Sequence, residues 1–543
     1  MEVSMQQSSA PKTASRVSWR YYAIAFTVAL LALLPRTGFV QFDPARYLWA
    51  EDGPVFLNEA EALGLGAIFH PYAGYLHFYP RIITALSQLV TLPNRPMVLT
   101  LGWILAYLVM MSAVVRVAAR SNRSIMSLVM VVGLVSLQPN WGEVFFNVTN
   151  SQWMIGATLF IFALVEAEGS ERRKQIKGLA LAPMALTGPF SVILAPILLL
   201  RIWLKKDWQS QKYIYLPIFF GAIVQTCVLL THQRVSSGVT NTDLSLWWDV
   251  FTKLVLFEPD SFSLFVVALA IWGLLGYMAY THQRGQAFRE RITHPAALML
   301  IAAFLLIVGG IFANKHDPAG IVALGGGGRY TWVPYALIVV AGFMLSQGRK
   351  VLGSLVTLLF TLICIAEFHT WVLPNLQFEA FVHFSQKEQV FMPIHPVWEE
   401  YPSWHILAKP SGKNAHPGKV IELDLKQVSA TGLSISYADQ DLVIKRNGLR
   451  AMLTFTQKLS CPNNKFAGVN IYLTREEDEG VLQLFWDEHG NFKKADSLAR
   501  WYPEGEVKAQ YAFPMPPSGV LLGIEPYEMS GQTTIRRVEV HCV

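Results

Sequence analysis

Two carboxylates stand side by side in Trp49-Ala50-Glu51-Asp52-Gly53-Pro54-Val55-Phe56, directly after the first long apolar segment of the chain. Ionisable groups at the mouth of a membrane cost free energy to hold, so they mark a substrate, ion or proton site. A carboxylate so placed can act as a general base on a hydroxyl. The same residues can form a solvated turn, because Asp-Gly-Pro is ordinary turn chemistry. A second stretch, Gly325-Gly326-Gly327-Gly328-Arg329-Tyr330-Thr331-Trp332, offers the complement. Glycines let backbone N–H groups turn toward an anion, and Arg329 with Tyr330 adds a charged fork where the next apolar segment begins. That stretch also reads as a hairpin with an interfacial Arg-Tyr-Trp anchor. Together, a base early in the chain and an anion holder late in it suit attack by a hydroxyl with departure of an anion.

Other loop residues could complete such a site. Arg81 and Lys253 are further candidates for the anion, with Lys315 and His316 as additional cationic or titratable groups. Trp141, Glu143, Asn147 and Asn150 form an acidic, aromatic loop without a basic residue, and Tyr75 and His77 belong to the aromatic run Tyr72–Arg81. Aromatics and amides suit ring faces and hydroxyls, so these six are candidates for an acceptor. Interfacial Trp residues also form plain membrane belts. Glu51-Asp52 with His70 or His77 could hold a divalent ion through waters, so a divalent metal stays open. No His or Cys group has structural zinc spacing.

The elements that must position these groups are membrane helices. The chain has 543 residues, 52% hydrophobic and only 15% charged, against about 25% charged in soluble proteins. A span needs about 20 mostly apolar residues. Candidates are 21–39, 97–116, 124–140, 153–168, 213–231, 262–280, 295–313, 331–347 and 351–370. Between them 178–203 is apolar but broken at Thr187-Gly188-Pro189, and reads as a pair of short helices that dips in and returns. The total is about eleven membrane segments. Basic connections alternate with less basic ones, which places the N-terminus in the cytoplasm and loops 40–96, 141–152, 232–261 and 314–330 outside. Lys12, Arg16 and Arg20 before the first segment read as an uncleaved signal anchor. The net charge of +6 follows from these connections, and no aromatic-interleaved basic stripe points to nucleic acid.

After residue 370 the long apolar runs stop and alternating stretches begin, such as Leu453, Phe455 and Leu459, then Val538, Val540 and Cys542. Divided by Gly490-Asn491 and Pro516-Pro517-Ser518-Gly519, they predict an all-β sandwich over 371–543, large enough for a core of its own, behind a membrane domain over 1–370. Cys461 and Cys542 could pair there if the compartment is oxidising. Trp486, Asp487, Trp501 and Tyr502 could bind carbohydrate or simply pack.

The pattern resembles the GT-C superfamily of polytopic glycosyltransferases. Glu51-Asp52 in the first outer loop, an acidic and aromatic second loop, a broken helix pair and Arg329-Tyr330 opening a late helix carry the likeness. Ala50 to Phe56 with Tyr72-Ala73-Gly74-Tyr75 and Pro80-Arg81 look like bacterial enzymes that modify surface polysaccharide. Leu522-Gly523-Ile524-Glu525-Pro526 with Ser530-Gly531 is similar to sandwich modules attached to them. The resemblance implies inverting transfer of a sugar from a polyprenyl-phosphate donor to a glycan or lipid-linked acceptor at the outer face of the plasma membrane. It puts the base on Asp52 first and Glu51 second, and the donor phosphate on Arg329. A polysaccharide polymerase or ligase is a nearby alternative, and a lipid-linked sugar flippase a more distant one, since inverted repeats with matching breaks are not evident.

Overall fold

Apolar segments fold as helices wherever turn residues leave them uninterrupted. The computed structural model describes residues 17–39, 42–120, 124–165, 170–232, 262–282, 285–314, 321, 324, 327–397, 404–410, 419–448, 450–476, 480–527 and 531–543. In the first part α1 spans Trp19–Leu33, α2 Asn58–Leu63, α3 Phe78–Ser87, α4 Arg95–Arg120 and α5 Ile125–Ser136. Then come α6 Ser151–Leu164, α7 Glu171–Ala185, α8 Phe190–Lys205, α9 Trp208–Thr231 and α10 Phe262–His282. The series closes with α11 Phe288–Ile292, α12 Pro295–Ala313, α13 Arg329–Leu345, α14 Lys350–Ala366 and α15 Phe378–Phe384.

Three helices are long and apolar enough to cross a membrane among the described residues: Leu92–Ala119, Trp208–Thr231 and Pro295–Ala313. Helices stand at the other expected spans, but α1, α5, α6, α13 and α14 are shorter than the roughly 20 residues a span requires. Two of these short helices are interior. Every residue of α6 but Phe162 is buried, and α13 is buried from Thr331 to Gly342. A helix apolar all round belongs in the middle of a bundle, and there α6 and α13 bring their first turns together.

The break at Thr187-Gly188-Pro189 separates α7 and α8, of 15 and 16 residues. Gly178 and Gly221 set how α7 meets α9. A Cβ on Gly178 would fall 2.0 Å from the Tyr213 carbonyl oxygen, and one on Gly221 2.5 Å from Ala185 Cβ. Position 178 faces 213 and 185 faces 221, so α7 and α9 run parallel with backbones in close approach. The Thr187 turn and the end of α9 therefore lie at the same end of the bundle as the starts of α6 and α13.

Strands follow α15: β1 Val390–Pro393, β2 His405–Ala408, β3 Val420–Glu422, β4 Val428–Thr431, β5 Leu433–Ala438, β6 Asp441–Arg446 and β7 Met452–Phe455. After them come β8 Phe466–Arg475, β9 Gly480–Asp487, β10 Ser497–Tyr502, β11 Gly505–Pro514, β12 Leu521–Tyr527 and β13 Gln532–Cys542. One antiparallel sheet has the order β10-β9-β12-β7-β4; the other is β11-β8-β13-β6-β5, with β3 beside β13. Period-2 burial sends Leu453, Leu484 and Ile524 of one sheet against Val469, Ile471 and Val538 of the other. Cys461 and Cys542 are joined, their Cα atoms 5.5 Å apart. Trp486 is buried and stacked on Phe513 at 4.9 Å, Tyr502 is buried, and Asp487 accepts from the N–H groups of His489 and Asn491 in its own turn.

The sandwich does not keep its core to itself, contrary to the separate core expected from its length. Val55, Phe56 and Leu57 of the first loop lie in the same buried cluster as Val390, Met392 and Ile406. Hydrogen bonds stitch the same seam: Ala50 N–H to the His395 carbonyl (2.5 Å), His395 N–H to the Leu48 carbonyl (3.2 Å) and Leu407 N–H to Asn58 Oδ1 (2.9 Å). Each apolar side chain so covered contributes about 1.5–3 kcal/mol.

Candidate active site

The two neighbouring acids have different environments. Ala50–Asp52 forms a single tight turn, entered at Ala50 with φ +39°, a conformation that costs a non-glycine residue on the order of 1–3 kcal/mol and needs surrounding contacts to hold it. The turn carries the Asp52 carboxylate inward, where it is fully buried. Its Oδ2 accepts from Trp49 N–H (3.0 Å), and its Oδ1 from Thr149 N–H (2.8 Å) and Thr149 Oγ1 (2.5 Å). Burial pushes this carboxyl up to about 7, against the pull of those hydrogen bonds. Glu51 instead faces a cavity of about 390 Å³, within the roughly 300–1,000 Å³ of small-molecule pockets. The expectation that Asp52 leads is corrected here: Asp52 is the clamp between the first and second loops, and Glu51 is the carboxylate on the cavity wall.

Four other parts of the chain reach that cavity. Thr149, Asn150, Gln152 and Trp153 come from the start of α6, Arg329 and Tyr330 from the start of α13, Tyr72, Tyr75 and His77 from the first loop, and His232 from the end of α9. The backbone of the first loop is held by its neighbours. Gln225 of α9 grips Leu76 at both ends, accepting from its N–H (2.9 Å) and donating to its carbonyl (3.1 Å). Gly188 N–H donates to the same carbonyl (2.9 Å), and Tyr79 N–H donates to Thr187 Oγ1 (3.1 Å).

Arg329 is set by Glu143. Glu143 Oε2 meets Arg329 Nη1 at 3.0 Å, while Oε1 accepts from the Arg329 backbone N–H at 2.8 Å. One carboxylate thus caps the helix and fixes the direction of the guanidinium. Asn147 and Asn150 both donate to the Glu143 carbonyl, at 2.7 and 2.8 Å. Asn150 Oδ1 accepts from Trp153 Nε1 at 3.0 Å, and Trp153 stands edge-on to Tyr330 at 5.3 Å.

Several expected acceptor and phosphate contacts are therefore corrected. Glu143 and Asn147 are buried props, and Asn150 lines the cavity with its amide already engaged. Trp141 stacks on His369 at 4.2 Å and is not on the cavity wall. Arg81 is 1% exposed, bound to Glu59 and to the Val55 carbonyl at 2.8 Å each, and lies over the Phe56 ring. A phosphate would have to displace Glu59 to reach it. Lys253, Lys315, His316, Gly325 and Gly326 lie outside the described residues.

Gln152 Oε1 is buried on the wall without a partner, which costs about 1–3 kcal/mol unless something pairs with it, and the buried His77 ring meets the Tyr72 backbone. Burial, with the charge of Arg81, pulls the His77 imidazole down to about 3, so it is neutral and can both donate and accept. Among the described residues no three His, Cys, Asp or Glu side chains gather to hold a metal ion.

No family model and no curated protein matches this chain. Solved structures similar to part of it include the C-terminal CBM6 of LamC from Zobellia galactanivorans, at 7% identity and TM-score 0.19, covering 23% of this chain and 99% of that one. CBM35 from Paenibacillus barcinonensis gives 9% identity and TM-score 0.19, with 23% and 100% covered. The CBM22-1 xylan-binding domain of Xyn10C from the same organism gives 14%, 0.19, 24% and 97%. Likenesses this slight carry no argument about the site.

Sequence reasoning placed Glu51, Tyr75, His77, Asn150, Arg329 and Tyr330 among the functional residues, and all six share the cavity. It did not single out Thr149, Gln152, Trp153, Tyr72 or His232 as site residues. The available signal for Gln152 was an amide in the first turn of an otherwise apolar helix.

Proposed function

We propose that this chain is a polytopic, GT-C-like membrane glycosyltransferase that moves a sugar from a polyprenyl-phosphate donor to a hydroxyl of a glycan or lipid-linked acceptor. The observation that carries this reading is that Glu51 and Arg329, 278 residues apart by subtraction of their numbers, open into one cavity. Glu51 takes the proton of the acceptor hydroxyl as its oxygen bonds to the anomeric carbon. The bond from that carbon to the phosphate oxygen breaks with its electron pair, and the guanidinium of Arg329 faces the departing phosphate. Attack opposite the leaving group inverts the anomeric centre. Gln152 Oε1 and His77 pair with sugar hydroxyls, and Trp153 and Tyr330 offer ring faces.

The cavity end of the bundle faces outward in a bacterial plasma membrane in this reading, with the N-terminus in the cytoplasm and the β-sandwich in the periplasm. The Cys461–Cys542 pair suits an oxidising compartment. Membranes containing Glu51→Gln should lose about 10²–10⁴-fold of transfer from a lipid-phosphate sugar while melting as the parent does. Full turnover in a folded Glu51→Gln protein removes Glu51 from the chemistry, and mass spectrometry of surface polysaccharide with and without the chain identifies sugar and acceptor.

A further inference from the structure

A groove lies between α5 and α14 at the end of the bundle opposite the cavity, with α13 as its floor. The two helices meet where the Cys364 thiol approaches the Leu134 carbonyl at 4.0 Å. From there they part toward Ser124 and Lys350, enclosing about 820 Å³. The walls are apolar and adaptable, with Met126, Met130, Phe343 and Phe360 among them. Met126 is 68% exposed and Met130 38%, so the groove is open on its outer side.

Charge is confined to the mouth, where Arg349 and Lys350 join Ser124 in the lining; deeper in, Thr357 and Thr361 turn their hydroxyls to the Gly353 and Thr357 carbonyls of their own helix. The guanidinium of Arg349 is held there by donation from Nη1 to the Met278 carbonyl (3.1 Å) and Thr281 Oγ1 (2.6 Å), while Lys350 is exposed. Along α14 the lining runs from Lys350 to Thr361, about 16 Å at 1.5 Å per residue. That is about half of a 30 Å hydrocarbon core, the depth of one leaflet. A cationic rim over a largely apolar slot about one leaflet deep complements a lipid with an anionic head group above acyl tails.

We propose that this groove seats one anionic phospholipid of the nearer leaflet, its acyl chain between α5 and α14 and its phosphate against Arg349 and Lys350. The inference depends on membrane placement of the helices and not on the sugar-transfer reading. Its test uses the full chain, delipidated in detergent and given phosphatidylglycerol, phosphatidylcholine or inorganic phosphate, with native mass spectrometry and melting as readouts. Phosphatidylglycerol should remain bound and raise the melting temperature more than phosphatidylcholine does. Lys350→Glu should cut its retention by about tenfold, since a reversal removes one attraction and adds one repulsion. Met130→Trp, which fills the slot from its exposed side, should cut it without lowering the lipid-free melting temperature. Equal retention of the two lipids, wild-type retention by either variant, or equal protection by inorganic phosphate overturns the proposal.

Discussion

Depth divides the work of the two neighbouring acids. Asp52 is surrounded by donors, whereas Glu51 reaches the cavity. In Asp52→Asn the amide can still accept from Thr149, but its NH₂ then faces the Trp49 N–H, donor against donor. The expected cost is about 1–3 kcal/mol, read as a lower midpoint in thermal unfolding. Thr149→Ala should lower it too, and the double variant by less than the sum, since both remove one contact. The buried histidines set a pH dependence. His77 is pulled down to about 3 and His395 to about 4, both chiefly by burial. The fold excludes the proton that the unfolded chain accepts near 6.5, so their contribution is whole above about pH 6.5 and fades as pH falls toward 4. Asp52, raised to about 7 by burial, works in the opposite sense over the same range, so the histidine loss is read from melting curves at pH 7.5 to 4.5 as the part that His77→Gln flattens.

At the scale of elements, much was legible because it was local. The Gly-Pro dipeptide placed the break between α7 and α8, and uninterrupted apolar residues gave α12 the same limits as the expected 295–313. Arg329 at the head of a late helix was legible for the same reason. What stayed hidden depends on partners distant in the chain. Arg81 next to Pro80 has the look of an available cation, yet Glu59, 22 residues earlier by subtraction, occupies it. Nothing local separates Glu51 from Asp52, because the choice is made by a strained turn and by Thr149. The parallel seam of α7 and α9 was equally invisible, since isolated glycines do not announce what faces them. Gly178→Ala would set a Cβ 2.0 Å from the Tyr213 carbonyl oxygen, and backbone cannot yield as a side chain can. A loss of at least about 1–3 kcal/mol is expected in thermal unfolding, whereas Gly66→Ala, with nothing within 4 Å, should leave the midpoint near the parent's.

Across the whole molecule, the C-terminal segment helps to hold the first loop, on which the proposed base stands. Ending the chain at Ser385 would strip the His395 carbonyl from Ala50 and uncover Val55, Phe56 and Leu57. Such a truncation should keep the helical signal in circular dichroism but lose transfer, and retained transfer would contradict the role given to this seam. Opening the disulfide with Cys461→Ser and Cys542→Ser should cost about 2–4 kcal/mol. The seam also bears on timing. A ribosome delivers Ala50 long before His395, so the turn that carries Glu51 stays unfinished while hundreds of residues are still being made. On the sugar-transfer proposal, activity would then begin only after the newly made tail has folded back onto the oldest loop.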